Sequence, residues 1–279
     1  TGAFTHVLGP GSQYFNDETT GLCLSSDGRY LAFATAATNT GFTPNGNAQI
    51  YLCDFGPGRN QSTLTLVSHA MGSSTVGCDN VCYLEQHGIS ADGEVVVFDG
   101  LASDLTGTDG DGQPDIYYWR RSTGVVAIAS VPSGSGSLSY GAAVSGDGTT
   151  IGYVRQDVSQ APFPRYVNCE LYTIATGLRR RISPDNVHVA LSWPVCLSFD
   201  GSKVLYVQDD SPTMPLLLYI EGQGTRPAVA STTGDVPLVP VSYFTFSGDG
   251  RWIGFATLAT NMVPDDTNGF YDVFIRGPQ

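Results

Sequence analysis

Residues 247–255 read Ser-Gly-Asp-Gly-Arg-Trp-Ile-Gly-Phe, a tight turn followed by a short apolar strand. The Asp-Gly pair supplies the positive φ angle that a hairpin turn needs. The same Ser-x-Asp-Gly element occurs five times, at intervals of 49 to 65 residues, and an apolar run follows each copy. The five copies begin at Ser25, Ser90, Ser145, Ser198 and Ser247. Periodicity of this kind indicates one supersecondary unit that is used five times.

Each unit has room for four strands. The Ser-x-Asp-Gly turn joins the first two strands, and a variable loop leads to a third strand with a central aromatic residue, as in Asp115-Ile-Tyr117. A turn then leads to a fourth strand, such as residues 124–128. No segment shows a sustained helical period with caps. The pattern predicts an all-β fold, a single five-bladed β-propeller of four-stranded antiparallel blades.

The whole chain, residues 1–279, is predicted to be one domain. The last repeat shows only three strands, and the apolar segment 3–8 precedes the first repeat. We predict that residues 3–8 close the last blade as its fourth strand, which leaves no open edge. We also expect a monomer, although the same strand docked on a neighbour would give a swapped oligomer. The approximate blade boundaries are 20–70, 83–131, 139–184, 191–231 and 240–279.

The repeat resembles the TolB-type propeller repeat, also called PD40 or WD40-like. Blade five carries the resemblance most fully, in residues 247–255, 259–261 and 266–276. It extends over nearly the whole chain and implies a propeller scaffold. Members of that family usually have six or seven blades, so five is a departure. Repeats of this type serve as binding scaffolds in many settings, and the resemblance therefore implies a fold more than a function.

Charge and cysteine content restrict the partners and the compartment. The net charge is −13, and Lys203 is the one lysine among 13 basic residues. Such a chain repels phosphate backbones and anionic membranes, which argues against nucleic acid or membrane partners. It also lacks the roughly 18 consecutive apolar residues of a membrane-spanning helix. Six cysteines fit an oxidising compartment, secreted or periplasmic, and Cys78 and Cys82 form the easiest disulfide pair.

Two loops between second and third strands are rich in carboxylates. Both fit the pattern Asp-x-[Asp/Asn]-Gly-x-x-Asp, which places oxygen ligands on a tight turn. Calcium takes six to eight such oxygens, so these loops predict a structural Ca²⁺ site. The alternative is that the side chains only form Asx-turns and fold the loop. The candidate ligands are Asp104, Asp109, Asp111 and Asp115 in blade two, and Asp266, Asn268 and Asp272 in blade five.

The start of each innermost strand should line a funnel around the propeller axis. Aromatic side chains there could stack on a sugar ring or an apolar side chain, with polar neighbours fixing the orientation. The alternative is that these aromatic side chains pack between blades. The candidate ligand-binding residues are Glu85, Gln86, His87, Tyr140, Trp193 and Tyr243.

No catalytic residues are assigned. The five first strands carry no acid, so Glu85 stands alone at the funnel and lacks the second carboxylate that a glycosidase needs. We therefore expect a secreted, non-catalytic propeller that binds a protein or glycan. The alternatives are a carbohydrate-active enzyme at the funnel and a structural subunit of an extracellular assembly built by exchange of the N-terminal strand.

Overall fold

We describe a computed structural model of the chain, in which the described residues are 5–56, 63–109, 112–131, 136–157, 166–185, 187–191, 193–209, 211, 213–230, 237 and 241–278. They form five antiparallel sheets, which confirms the all-β, five-bladed fold. One 3₁₀ helix, Pro10–Ser12, precedes the first blade. In these ranges no helix is long and apolar enough to cross a membrane.

The strands follow chain order within each blade. Blade one contains β1 (Thr19–Leu24), β2 (Tyr30–Thr35), β3 (Gln49–Asp54) and β4 (Thr63–Leu66). Blade two contains β5 (Cys82–Tyr83), β6 (Val95–Gly100), β7 (Asp115–Arg120) and β8 (Val125–Ile128). Blade three contains β9 (Ser137–Val144), β10 (Thr150–Asp157), β11 (Tyr166–Thr173) and β12 (Leu178–Arg181). Blade four contains β13 (Cys196–Leu197), β14 (Lys203–Val207), β15 (Leu216–Ile220) and β16 (Gly224–Pro227). Blade five contains β17 (Val241–Phe246), β18 (Ile253–Thr257) and β19 (Asp272–Arg276).

Most of the hydrophobic core lies between consecutive blades. One cluster joins Leu52 of blade one to Phe98 of blade two, and the equivalent clusters join blades two and three, three and four, and four and five. Blades two, three and four pack against a neighbour on either side, so their middle strands, such as β7, are buried almost throughout. In blade one, β3 is equally buried because Val7 and Phe15 pack against the face that no neighbouring blade covers.

The Ser-x-Asp-Gly turns explain why the repeat is so regular. In the second copy the Ser90 hydroxyl donates to Asp92 Oδ1 (2.7 Å) and accepts from the Val95 N–H (2.9 Å). Gly93 has a φ of 67°, a left-handed conformation that glycine adopts without strain. The Ser–Asp hydrogen bond occurs in all five copies. The hydrogen bond between serine and aspartate closes the turn, and glycine adopts the backbone conformation that the turn requires.

The turns also join one blade to the next through the main chain. The Ser26 N–H donates to the Ala91 carbonyl (2.9 Å), the Ala91 N–H to the Gly146 carbonyl (2.8 Å), and the Asp147 N–H to the Phe199 carbonyl (2.8 Å). A single axial cavity near these turns is lined by residues of all five blades. The blades therefore surround one axis.

The last blade differs from the expectation. Within the described ranges its sheet has three strands, and β19 pairs only with β18. Residues 5–8 belong to no strand, and residues 3 and 4 lie outside the described ranges. Val7 instead packs with Phe15 against the blade-one cluster that contains Phe33. The predicted pairing of segment 3–8 with blade five is therefore not observed for residues 5–8, because their apolar contact is made on blade one.

Candidate functional site

A cavity of about 220 Å³ lies at the funnel, where the innermost strands begin. It brings together five of the six predicted ligand-binding residues, namely Glu85, Gln86, His87, Trp193 and Tyr243. The sixth, Tyr140, lines an adjoining cavity of about 240 Å³ that shares Glu85 and Pro194 with the first. We call these two spaces the funnel cavity and the side cavity.

The apolar wall of the funnel cavity comes from blades four and five. The Trp193 and Phe244 rings are stacked, with centroids 6.5 Å apart and planes inclined by 27°. Phe244 is buried, whereas the neighbouring Tyr243 is 75% exposed. The stacked Trp193 and Phe244 rings form an apolar surface, and the exposed Tyr243 side chain lies beside it. Such a surface can accept a flat or apolar group of a ligand.

The position of Tyr243 follows from an irregularity that recurs in the innermost strands. Blades one, three and five interrupt the pairing of their first two strands at the same place, and the irregular residues there are Gly21, Gly141 and Tyr243. All three have positive φ angles, 59°, 66° and 49°. Tyrosine is strained in this conformation, whereas glycine is not. Blade five therefore holds an aromatic side chain at a backbone position where blades one and three have glycine.

The polar wall comes from the segment after β5. Burial raises the pKa of the Glu85 carboxyl and lowers the pKa of the His87 imidazole. Both shifts favour the neutral side chain. The Glu85 carbonyl accepts a hydrogen bond from the Cys23 thiol (2.8 Å), which ties this segment to blade one. The segment thus presents groups that can exchange hydrogen bonds with a bound molecule at the edge of the apolar wall.

A second carboxylate, Asp99, lies beside Glu85 and corrects the expectation of a single acid. Asp99 is on β6, where it pairs with Tyr83 of β5, and it lines the side cavity with Glu85 and Tyr140. It accepts hydrogen bonds from the backbone N–H groups of Gly141 (2.8 Å) and Ala142 (3.3 Å) of the next blade. Burial raises the pKa of Asp99 to about 7, and the nearby Glu85 charge adds to the effect. The two acids can therefore hold different protonation states at neutral pH.

Asp99 is not among the predicted funnel residues, because only the first strands were expected to reach the funnel. Asp99 lies on a second strand, directly after the apolar run 95–98. An acid in an otherwise apolar middle strand was the available signal, since a buried carboxylate needs a specific partner or a function.

The carboxylates of the two acidic loops bind protein groups. Asp109 accepts a short hydrogen bond from the Tyr117 hydroxyl, and Asp115 accepts one from the Ser130 hydroxyl. Asp104 accepts from the Asp79 N–H (2.9 Å).

In blade five, Asn268 donates to Asp272 (3.0 Å) and accepts from the Phe270 N–H (2.7 Å), while Asp266 lies in the same loop. Asp111 lies outside the described ranges. Within them no group of three or more His, Cys, Asp or Glu residues has an arrangement suited to a metal ion. The observed contacts are those of folded turns, and calcium stays a prediction.

All six cysteines are buried thiols in this structure. The Sγ atoms of Cys78 and Cys82, the predicted disulfide pair, lie 3.3 Å apart and are not bonded. Cys23 and Cys53 lie on β1 and β3, on opposite sides of β2, which is the separation that makes a bridge between them unfavourable.

Solved structures of known proteins share the propeller fold of this chain. No family model and no curated protein sequence matches the chain. Among solved structures it is similar to TolB from Acinetobacter baumannii, with a TM-score of 0.51, 18% identity, and coverage of 86% of this chain and 49% of that one. It is also similar to an oligogalacturonate lyase in complex with manganese, with a TM-score of 0.55, 15% identity, and coverage of 92% and 61%.

A third similar structure is the β-propeller domain of the Trilobed protease from Pyrococcus furiosus, which has an open velcro topology. Its TM-score is 0.56, its identity 12%, and the coverage is 94% of this chain and 67% of that one. The chain spans about half the length of the A. baumannii TolB and about three-fifths of the lyase. At these identities the likeness carries the fold alone. In fold, the chain is therefore a five-bladed β-propeller that is similar to the propeller of TolB.

Proposed function

We propose that this propeller is a non-catalytic binding scaffold whose funnel cavity holds a short segment of a partner protein. The observation that carries the proposal is the convergence of residues from three blades on one cavity of about 220 Å³. Small-ligand and peptide sites are concave, mostly apolar and equipped with a few polar groups, and this cavity has that composition.

The lining indicates which part of a partner would bind. The Trp193–Phe244 stack and Val195 suit an aromatic or aliphatic side chain, and the volume suits one or two such groups. Glu85 on the opposite wall suits a hydrogen-bond donor or a basic group. A net charge of −13 also favours approach by basic rather than acidic partners.

Selection from a random-peptide display library, run beside a glycan array, tests this proposal. We expect selected peptides to carry an aromatic or aliphatic residue near a basic one. Trp193→Ala should weaken their binding by about 30-fold or more, the loss typical of a central aromatic contact. Trp252→Ala is the matched control, because Trp252 does not line the funnel cavity. It follows the hairpin turn of blade five and contacts Gly277. Selection of glycans and no peptides, or equal losses in both variants, would contradict the proposal.

A carbohydrate-active enzyme is the second candidate, and the observation that favours it is the Asp99–Glu85 pair in the side cavity. Glycoside chemistry uses two carboxyl groups in different protonation states. This candidate expects product release from a panel of oligosaccharides, lost in Glu85→Gln and in Asp99→Asn. Glycan binding without turnover by the wild-type chain would remove it.

We also propose that the protein works outside the cytoplasm, secreted or periplasmic. The even number of six cysteines supports this, because disulfides form and persist in oxidising compartments. Fractionation of the source cells, with the protein followed by antibody, tests the location. Recovery in the cytoplasmic fraction would contradict it.

A further inference from the structure

We propose that Cys78 and Cys82 form a redox site that a small disulfide oxidant converts into an intramolecular disulfide. The pair stands out because its Sγ atoms are in hydrogen-bond contact at 3.3 Å, whereas a disulfide bond is about 2.05 Å long. Rotation of two side chains within one short loop can close that difference.

The loop that carries the pair is anchored at both ends and close to solvent. The Cys78 N–H donates to the Ser68 carbonyl (3.0 Å), and the Cys82 N–H donates to the Ala48 carbonyl (3.0 Å). These two bonds fix both cysteines against blade one. Between them Asp79 is exposed and Asn80 is half-buried. Local opening of this surface loop gives a small oxidant access to thiols that are otherwise buried.

The two sulfurs have unequal roles. Cys78 donates to Gln49 Oε1 (3.1 Å) or to the Asn80 carbonyl (3.3 Å), and it faces the Cys82 thiol. A hydrogen bond from the Cys82 thiol lowers the pKa of Cys78, while burial raises the pKa of Cys82. Cys78 lies in the loop whereas Cys82 lies in β5, so opening of the loop exposes Cys78 first, and Cys78 acts as the nucleophile with Cys82 as the resolving thiol.

The reaction balances as two exchanges. The Cys78 thiolate attacks one sulfur of the oxidant, whose own S–S bond breaks, and one thiol leaves with a proton. Cys82 then loses its proton and attacks the Cys78 sulfur of the mixed disulfide, which releases the second thiol. The protein loses two hydrogen atoms, and the oxidant is reduced to two thiols.

The site adjoins the funnel through the chain itself. Cys82 begins β5, and three residues later the same segment delivers Glu85, Gln86 and His87 to the funnel cavity. A disulfide at residue 82 would fix the outer end of that segment. The redox state of the pair should therefore influence how firmly the polar wall is held.

The experiment reduces the full-length chain, removes the reductant and exposes it to oxidised glutathione. The chain is then denatured, alkylated and mapped by mass spectrometry. We expect a Cys78–Cys82 linked peptide and four alkylated cysteines, Cys23, Cys53, Cys169 and Cys196. The oxidised chain should melt about 4 °C higher than the reduced one, from the closed loop. Six alkylated cysteines, or a link between other positions, would overturn the proposal.

Two variants separate the roles. Cys82→Ser should trap glutathione on Cys78, whereas the control Cys53→Ser should still form the Cys78–Cys82 link and leave three alkylated cysteines. An adduct that forms equally on Cys53 and Cys78 would show general thiol reactivity and no dedicated pair. If Cys82→Ser fails to fold, the peptide map of the wild-type chain still decides the question.

Discussion

At the scale of single residues, the serine of the repeat does more than occupy a turn. Its hydroxyl holds the aspartate and also receives the N–H that begins the next strand. In the first and last copies the serine hydrogen bond is the main reason that the pKa values of Asp27 and Asp249 lie below their ordinary range. The serine and the aspartate thus depend on each other, which explains why both residues occur in every copy of the repeat.

Loss of a buried repeat serine should therefore be costly. Ser90→Ala is expected to lower the free energy of unfolding by about 1–3 kcal/mol, because it leaves the buried Val95 N–H without its acceptor. Ser247→Ala is the control and should lose less than about 1 kcal/mol, since water can replace that hydroxyl at the more exposed turn. Urea denaturation of both variants checks the difference. Equal losses would show that burial does not set the contribution of the turn.

The strained residue of the funnel offers a test that separates stability from binding. Tyr243→Gly should raise the free energy of unfolding by roughly 0.5–1 kcal/mol, because glycine relieves the left-handed strain and offsets it only partly by its greater freedom in the unfolded chain. The same change should weaken ligand binding. Gly141→Ala is the counterpart and should destabilise, since its new Cβ would lie 3.1 Å from Pro194 Cα at a φ of 66°. A destabilised Tyr243→Gly variant would contradict the strain argument.

Asp99 should make stability depend on pH between about 4 and 7. Its folded-state pKa of about 7 lies above the value of about 3.9 for the unfolded chain, so the folded state holds the proton more tightly. Asp99 therefore contributes fully to the free energy of unfolding below pH 4. This contribution, at most about 4 kcal/mol, is lost as the pH rises through 7. The half-buried His87 acts with the opposite sign, because its pKa is lowered in the folded state. The difference between wild type and Asp99→Asn isolates the Asp99 contribution, and parallel stability curves from pH 4 to 8 would contradict it.

At the scale of elements, strand positions were predictable because each blade repeats the same turn and the same aromatic third strand. Tyr51 and Tyr117 are indeed buried at the centres of β3 and β7. Tertiary partners were less predictable. Segment 3–8 has the composition of a strand, but composition does not reveal which sheet it meets, and Val7 packs on blade one. Asp99 was missed for a related reason. Its position near Glu85 depends on which residues of β5 and β6 pair, and the sequence does not reveal that register.

The acidic loops allow a test of the calcium prediction. If the Asp109–Asp115 loop binds Ca²⁺, the melting temperature should rise with the concentration of free ion. At one hundred times the dissociation constant, the free energy of unfolding should be about 2.7 kcal/mol higher than without the ion. Differential scanning calorimetry with added calcium and with chelator measures this. Asp109→Asn should abolish the response while Asp272→Asn should not, if blade two holds the ion. An unchanged melting temperature would leave the loops as turns only.

At the scale of the whole molecule, the exposed edge of β19 in the described ranges allows a test of whether the chain is a monomer, as expected, or self-associates. In the described ranges β19 has β18 on one side only, and Val273 and Ile275 are 83% and 72% exposed. Exposed apolar edge strands template pairing with other chains. We expect light scattering to show concentration-dependent association, abolished by Val273→Lys with Ile275→Lys. Leu178→Lys, on the outer strand of blade three, is the control. A strict monomer at every concentration would remove the strand-exchange candidate.

In the described ranges, turn-to-turn hydrogen bonds such as Ser26 to Ala91 and Ala91 to Gly146 join blade one to two, two to three and three to four. A hydrophobic cluster joins blade four to blade five, so the blades are coupled in a row. Under denaturing stress such a row loosens stepwise from a terminal unit rather than everywhere at once. Amides of β18 should then exchange with deuterium sooner than those of β7, and the funnel would lose its blade-five wall while most of the ring was still folded.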